Sequence, residues 1–207
     1  MVLVKMPIKD QVYNVIKERI LNEEIKLGEK INMLSLSKEL GVSNTPIREA
    51  LSMLERDGLI EFMPNVGPCV FPLSQDMFRS IDQAMVTLLC GAYDNLVHEG
   101  KVDLLIDNLT AALDKQKANY KDCNHSEFAH LSMDFDACFI MTDKNDYLLK
   151  MYNQIYDIFY LVVSYNHTIG DFERNAIIEE HQAILDAVKA QDHQKTRELL
   201  FKHYDRF

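Results

Sequence analysis

Most of the chain alternates apolar and polar residues with the period of an α-helix. Residues 8–21 carry apolar side chains at positions 8, 12, 15, 16 and 20, which form one stripe of an amphipathic helix. Two shorter helices are predicted over 35–40 and 46–57, separated by Gly41, which can adopt the left-handed conformation that ends a helix. Beyond position 74 the pattern predicts six helices, over 75–98, 102–120, 125–141, 146–166, 171–190 and 192–205.

One stretch departs from the helical period. Leu59 to Phe62 and Cys69 to Phe71 are β-prone, and Asn65-Val66-Gly67 between them predicts the turn of a hairpin. Just before it, Thr45 and Pro46 are typical of a helix N-cap and first helical residue. A helix, a short turn, a second helix and a hairpin in this order predict a winged helix-turn-helix, a shape that places one helix in the DNA major groove.

The predicted fold is therefore mainly α. Residues 1–72 form a winged helix-turn-helix with a β-hairpin wing, and residues 73–207 form an all-α antiparallel bundle of six helices. The links between the bundle helices are short, as expected between antiparallel neighbours. Phenylalanines and aliphatic residues at helical spacing supply the bundle core: Phe128, Phe135, Phe139, Ile155, Phe159, Leu185, Val188 and Leu199.

Composition narrows the class of protein. The 207 residues are 47% hydrophobic, enough for one or two packed domains, yet no run of 18 apolar residues occurs. The N-terminus has no apolar signal core, and the four cysteines form no CxxC pair. These features predict a cytoplasmic protein with reduced thiols and no membrane association.

The net charge of −10 is unfavourable for a DNA-binding protein until its distribution is considered. Residues 1–72 hold 9 basic and 10 acidic side chains, a balance of −1, whereas residues 73–207 hold 13 and 22, a balance of −9. The acidity thus belongs to the bundle. Because the N-terminal part is not basic either, DNA affinity must come from local placement of cations and from dimerisation.

The predicted second helix opens with residues that suit DNA recognition. Ser43, Asn44, Thr45 and Arg48 lie where a recognition helix meets bases and phosphates. Asparagine can bind adenine, arginine can bind guanine or phosphate, and hydroxyls suit phosphate oxygens. A purely structural interpretation makes Thr45 a helix cap and pairs Arg48 with a neighbouring glutamate at 49 or 55.

These residues resemble a known family. The strings GVSNTPIREALSMLERDGLI and PNVGPCV resemble the DNA-binding domain of GntR-type bacterial transcription regulators, and the C-terminal half resembles the helical FadR-type (FCD) effector domain. The second likeness rests on Phe128-Ala129, Phe135, Asn145, Glu180-His181 and His203. The resemblance implies a homodimer that binds a palindromic operator in double-stranded DNA under the control of a small-molecule effector. It further implies a transcription regulator, commonly a repressor, and not an enzyme.

The resemblance assigns DNA contact to the same four helix positions and to the wing tip at Asn65 and Gly67. Two positions depart from the family. Arginine is usual where this chain has Asn44, and a polar or basic residue is frequent near Leu34. Each departure removes a cation that could contact phosphate or guanine, so we expect an operator preference different from that of typical members.

Many FCD domains bind a divalent metal through an Asp, a His one helical turn later and two further histidines. The matching residues here are Ser132, Asp136, His181 and His203, which the resemblance makes the effector-binding set. Asp136, His181 and His203 would supply an N₂O ligand set for one divalent ion such as zinc, nickel or manganese. The alternative is a site without metal, in which the histidines are hydrogen-bonded core residues or line an effector pocket.

Two alternative functions stay open, and two local features bear on the kind of ligand. Segment 83–89 lacks the Arg-Glu common in the family, which weakens the case for a carboxylate effector. A metal-dependent bundle enzyme with an appended DNA-binding domain, or a DNA-binding dimer without effector, would share many of these features. Glu127-x-x-His130 resembles half of a di-iron motif, but no second copy occurs in the sequence, which favours a solvated helix face.

Overall fold

The computed structural model describes residues 6–169 and 174–205, which form two compact units that divide between Ser74 and Gln75. The sequence predicted this boundary two residues earlier, after Pro72. In the first unit the elements are α1 (Ile8–Leu21), α2 (Met33–Leu40), α3 (Asn44–Arg56), β1 (Ile60–Met63) and β2 (Gly67–Val70). In the second they are α4 (Gln75–His98), α5 (Val102–Asn119), α6 (His125–Asp143), α7 (Asp146–Ile169), α8 (Arg174–Lys189) and α9 (His193–Tyr204).

Helix α3 is the centre of the first unit, since both α1 and α2 pack against it. Its apolar stripe is fully buried and consists of Ile47, Ala50, Leu51 and Leu54. The opposite side of α3 stays exposed. The sequence thus folds so that one face of this helix supplies the core and the other is presented to solvent.

The start of α3 corrects one prediction. The helix begins at Asn44, its N-cap is Ser43 rather than Thr45, and the Ser43 side chain makes no capping hydrogen bond. Thr45 therefore lies inside the first turn and is exposed. The Thr-Pro pair lies in the first turn of the helix, and the boundary differs from the predicted one by two residues, as is common for helix ends.

The preceding helix begins two residues earlier than predicted, because Asn32 caps its N-terminus. Helix α2 begins at Met33, where Asn32 accepts hydrogen bonds from the backbone amides of Leu34 and Ser35, both at 3.1 Å. At its other end Gly41 adopts the left-handed conformation at φ 64°, as the sequence predicted.

Replacing Asn32 with alanine is expected to lower the free energy of unfolding of the first unit by about 1 kcal/mol, since the two amides lose their acceptor. Urea denaturation monitored by circular dichroism measures the effect. Ser35→Ala, on the same exposed first turn but without a side-chain hydrogen bond, is the matched control and should change stability by less than about 0.5 kcal/mol. Equal effects of the two substitutions would contradict the capping role.

The wing is a two-stranded antiparallel hairpin with Ile60 opposite Val70 and Met63 opposite Gly67. Positive φ angles at Asn65 (61°) and Gly67 (103°) close the turn where the sequence predicted it. An isolated bridge between Lys30 and Cys69 adds a short piece of backbone along β2. The lysine therefore lies beside the wing, a neighbour that the sequence did not reveal.

The second unit is the predicted helical bundle, with the bounds of all six helices close to those expected; the link at 170–173 lies outside the described residues. Helix α6 is central and packs against α4, α5 and α7. Most predicted core residues are buried, but Ile155 and Leu199 are only half-buried. Among the described residues, none of the helices is both long and apolar enough to span a bilayer.

Candidate functional site: a DNA-reading helix and a buried Asp-His-His cluster

The four predicted DNA-contacting residues of α3 all lie on the exposed side of the helix. Ser43, Asn44, Thr45 and Arg48 are solvent-exposed around its N-terminal turn. Among the described residues Arg48 has no hydrogen-bond or ion-pair partner, so the alternative pairing with a neighbouring glutamate does not occur in the structure. The guanidinium is therefore available to a phosphate or a guanine.

A shallow groove of about 430 Å³ runs along this exposed face. Arg48, Ser52 and Arg56 line it at a spacing of four residues, and Lys9 of α1 lies on its other side. Glu49 is the single acid among the lining residues. Three cations thus converge on one face of a unit whose overall charge is close to zero.

The wing carries the remaining two predicted contacts. Asn65 is exposed at the tip of the hairpin and Gly67 is half-buried next to it. A Cβ at Gly67 would lie 4.0 Å from the side chain of Lys30, which places this cation near the tip. Through their positive φ angles, both predicted wing residues shape the backbone of the turn.

In the bundle the structure brings the three predicted metal ligands together. Asp136 of α6, His181 of α8 and His203 of α9 each offer a ligand atom, and these atoms lie within 4.8 Å of one another. All three residues are buried, with side chains at most 2% exposed. Ser132, one turn before Asp136, is buried on the same helix.

The surroundings of the two histidines indicate which ring nitrogen carries a proton. His181 Nδ1 lies 2.8 Å from Gln116 Oε1, and His203 Nδ1 lies 2.6 Å from Glu180 Oε2. Because both oxygens are acceptors, each Nδ1 carries a proton and donates it. A neutral imidazole of this tautomer bears its lone pair on Nε2, which is the form that binds a metal ion, and an acceptor on the other nitrogen is the usual outer-shell partner.

The carboxylate is held in a similar way. The hydroxyl of Tyr204 donates a 2.8 Å hydrogen bond to Asp136 Oδ2. His181 is also stacked on Phe135, with ring centroids 4.1 Å apart and planes inclined by 10°. The three side chains are therefore positioned by neighbours on four different helices, α5, α6, α8 and α9.

Burial keeps two groups near Asp136 in their neutral forms. Burial raises the pKa of the Cys138 thiol to about 12, and the charge of Asp136 adds to the effect. Burial likewise raises the pKa of Tyr152, whose hydroxyl has no hydrogen-bond partner among the described residues. Both groups are therefore protonated at neutral pH when no metal ion is bound.

Comparison with known proteins decides the family. Residues 8–70 match the bacterial regulatory proteins of the gntR family, and residues 99–206, half of the chain, match the FCD domain. The chain belongs to the GntR family of bacterial regulatory proteins and carries an FCD domain. It is therefore a DNA-binding transcription regulator, and the interpretation as a bundle enzyme receives no support from its relatives.

Relatives of this GntR regulator match over nearly its whole length. The HTH-type transcriptional regulator YdhC of Bacillus subtilis (strain 168) is 27% identical, covering 94% of this chain and 87% of that protein. The gluconate operon transcriptional repressor of Bacillus licheniformis is 24% identical, covering 92% and 79%. A crystal structure of a GntR regulator from Rhodococcus sp. RHA1 shares the fold, with a TM-score of 0.73 at 14% identity and coverage of 95% and 93%.

Several residues of these two sites were missed at the level of sequence. Arg56 could have been found, because it repeats the four-residue spacing of Arg48 and Ser52. Lys9, Gln116 and Tyr204 had no such signal, since each reaches its site only through the packing of one helix on another. The roles of the individual residues in DNA and ligand binding stay predictions.

Proposed function

We propose that this GntR regulator is a cytoplasmic homodimeric repressor that binds a palindromic operator through α3 and the wing and is controlled by a ligand in its FCD domain. The exposed, cation-bearing face of α3, with Arg48 unpaired among the described residues, carries the proposal. Two of the relatives that match over most of the chain are named as operon repressors, which supports repression rather than activation of transcription.

Dimerisation is part of the proposal for a physical reason. One winged unit has a net charge of −1 and few exposed cations, so it makes few phosphate contacts. Affinity for DNA rises with the number of phosphates that the protein neutralises. Two copies related by a two-fold axis would double those contacts. They would also require an operator whose half-sites are related by the same symmetry.

The operator can be obtained by selecting bound sequences from random double-stranded DNA with the intact protein. A selected palindrome that is bound by two copies in a gel-shift assay is expected. In cells, deleting the gene should raise transcription from a promoter that carries this sequence. A fall in transcription after deletion would overturn repression, while a selected site without two-fold symmetry would overturn the dimeric mode of binding.

Lys9 and Arg56 are expected to hold phosphates on either side of the contacts made by Arg48. Replacing either with alanine should lower affinity by a similar factor for all sequences, and should reduce the slope of log K against log salt by about 2 for a complex with two copies. Titration of the selected operator at several salt concentrations measures this slope. Lys38→Ala, an exposed cation on α2 outside the groove, is the control, and an identical slope change there would refute the assignment.

The buried cluster fits a divalent metal ion by its donor chemistry. Asp136, His181 and His203 would hold the ion, with Gln116 and Glu180 as outer-shell acceptors. An N₂O donor set suits zinc, nickel or manganese. When bound, the ion would supply a positive centre for an oxygen ligand such as the carboxylate of an effector.

The protein's own residues would then set where the effector lies. Ser132 is buried one turn from Asp136 and provides a hydroxyl that can donate or accept a hydrogen bond. The buried hydroxyl of Tyr152, in the electrostatic field of Asp136, is a second donor. An effector would regulate DNA binding through its different affinities for the DNA-bound and free arrangements of the dimer.

A further inference from the structure

The wing hairpin, Ile60–Val70, contains no lysine or arginine, and its single charged side chain is Glu61. A wing without a cation cannot neutralise a DNA phosphate with its own side chains. Residues 61–66, which form the free end of the hairpin, are all exposed. Three of them are large apolar residues that are 42%, 42% and 43% exposed, namely Phe62, Met63 and Val66. The tip therefore offers an apolar surface to its binding partner.

A short piece of backbone before α2 runs along the hairpin as a third strand. The amide of Gly28 donates to Val70 O at 3.1 Å, at the base of the hairpin. The amide of Ile31 donates to Pro68 O at 2.8 Å, closer to the tip. Lys30 lies between these two bonds and bridges to β2. Because backbone hydrogen bonds hold this position, it does not depend on the lysine side chain.

The side chain of Lys30 supplies the positive charge that the hairpin itself lacks. It is exposed and has no hydrogen-bond or ion-pair partner among the described residues. The neighbouring acid, Glu29, accepts a 3.0 Å hydrogen bond from the amide of Lys26. Glu61 lies on β1, with β2 between it and Lys30. The ammonium group of Lys30 is therefore available to a phosphate beside the apolar tip.

The position of the hairpin identifies DNA as the partner of this surface. Strand β1 packs against α3, so the wing is held beside the helix whose exposed face carries Arg48. A duplex bound along that face continues past the wing. Its backbone alternates anionic phosphates with deoxyribose rings that present C–H groups. A cation next to an apolar tip matches both parts of this backbone.

We propose that Lys30, Met63 and Val66 form one surface, the wing edge, that binds the sugar-phosphate backbone of the operator. Lys30 pairs with a phosphate, while Met63 and Val66 pack on the adjoining deoxyribose rings. Contacts to phosphate and sugar carry no direct sequence information, so the wing edge raises affinity for any duplex and leaves the choice of sequence to α3. The inference rests on the proposed placement of DNA along α3 and is independent of the effector and metal sites.

The cation is tested in the full-length protein with Lys30→Gln, which removes the charge and keeps most of the side-chain length. Titration of the selected operator at several salt concentrations should show that the slope of log K against log salt falls by about 1 for each bound copy. Lys30→Arg should restore the slope. Lys26→Gln, at an exposed lysine earlier in the same connection, is the control, and an equal slope in the two glutamine variants would refute the phosphate contact.

The apolar contact has the opposite salt dependence. Val66→Thr keeps the branched shape and Met63→Gln keeps the length, and each should lower operator affinity about five- to tenfold, because less apolar area is buried. The salt slope should stay unchanged, since no phosphate contact is lost. Met141→Gln, at a methionine of α6 that is 51% exposed, is the control. Unaltered affinity in either tip variant, or a changed slope, would contradict packing on the sugars.

An unrelated duplex of the same length separates backbone binding from base reading. Lys30→Gln and Val66→Thr should weaken its binding by the same factor as that of the operator, so the ratio of the two affinities stays within about twofold. A fall in this ratio would mean that the wing reads bases and that the assignment is wrong. Sedimentation of the tip variants checks assembly, since a changed oligomeric state with unchanged DNA affinity would assign the tip to a protein contact.

Arg48→Ala, titrated beside these variants, tests the placement of the operator separately. Loss of binding in Arg48→Ala without any effect of the Lys30, Met63 and Val66 substitutions would overturn the wing edge alone. Unchanged binding in Arg48→Ala would overturn the placement of DNA along α3, and the wing edge with it.

Discussion

Replacing Arg48 with alanine is expected to lower operator affinity by at least about 30-fold. An arginine bound to guanine or phosphate contributes about 1–3 kcal/mol, and the proposed dimer would lose that contact twice. The guanidinium is exposed, unpaired among the described residues and one turn from the start of the reading helix. A gel-shift titration with the selected operator measures the loss directly.

The control for this prediction separates recognition from folding. Because Arg48 is exposed and supports no contact in the core, the variant should keep the thermal melting temperature and the sedimentation behaviour of the unaltered protein. Lys38→Ala removes a cation from the neighbouring helix and should leave operator affinity within about threefold, as expected of a screened surface charge. Wild-type affinity in the Arg48→Ala protein would refute the assignment of α3 as the reading helix.

Replacing His203 with alanine is expected to lower zinc affinity by more than about 100-fold. Even substitutions in the outer shell of a metal site lower affinity about 10- to 100-fold, and His203 would be a direct ligand. Competition with a chromophoric chelator measures the constant. A thermal melt gives an independent readout, because zinc at about 100 times its dissociation constant adds roughly 2.7 kcal/mol to the unaltered protein and should add nothing to the variant.

Since His203 is buried, its loss could also disturb packing, and a milder variant guards against that outcome. Glu180→Gln keeps the shape of a half-exposed side chain but removes the charge that holds His203 Nδ1–H, so zinc affinity should fall by an intermediate factor of about 10 to 100. His125→Ala, an exposed histidine at the start of α6, is the control. Equal zinc affinity in all four proteins would mean that the cluster is a hydrogen-bonded part of the core.

The helix ends, the wing turn and the bundle helices could be predicted, because each depends on residues that are close together in the sequence. Gly41 ends α2 by its backbone conformation, and Asn65 and Gly67 close the wing for the same reason. The bundle helices follow from apolar spacing that needs no knowledge of the partner helix. The wrong assignment of Thr45 as a cap shows the limit, since Ser43, Asn44 and Thr45 are all residue types that favour an N-cap and the sequence alone does not choose among them.

The ligand cluster was predictable in part, and its environment was not. Asp136, His181 and His203 were named through likeness to a family, and the structure places them together. Nothing in the sequence connects Gln116 with His181, because they are 65 positions apart and meet only when α5 packs against α8. The sequence likewise does not predict that the Tyr204 hydroxyl donates a hydrogen bond to Asp136, although Tyr204 directly follows a predicted ligand.

The uncapped start of α3 has a consequence for how DNA and protein order one another. Because the side chain of Ser43 does not cap the helix, the first backbone amides of α3 lack that acceptor in the isolated protein. A phosphate oxygen of the operator would meet these amides at the positive end of the helix dipole. The nucleic acid would then complete the secondary structure of the helix that reads it, so part of the binding free energy would be spent on ordering that first turn, and helix stability and operator affinity would change together.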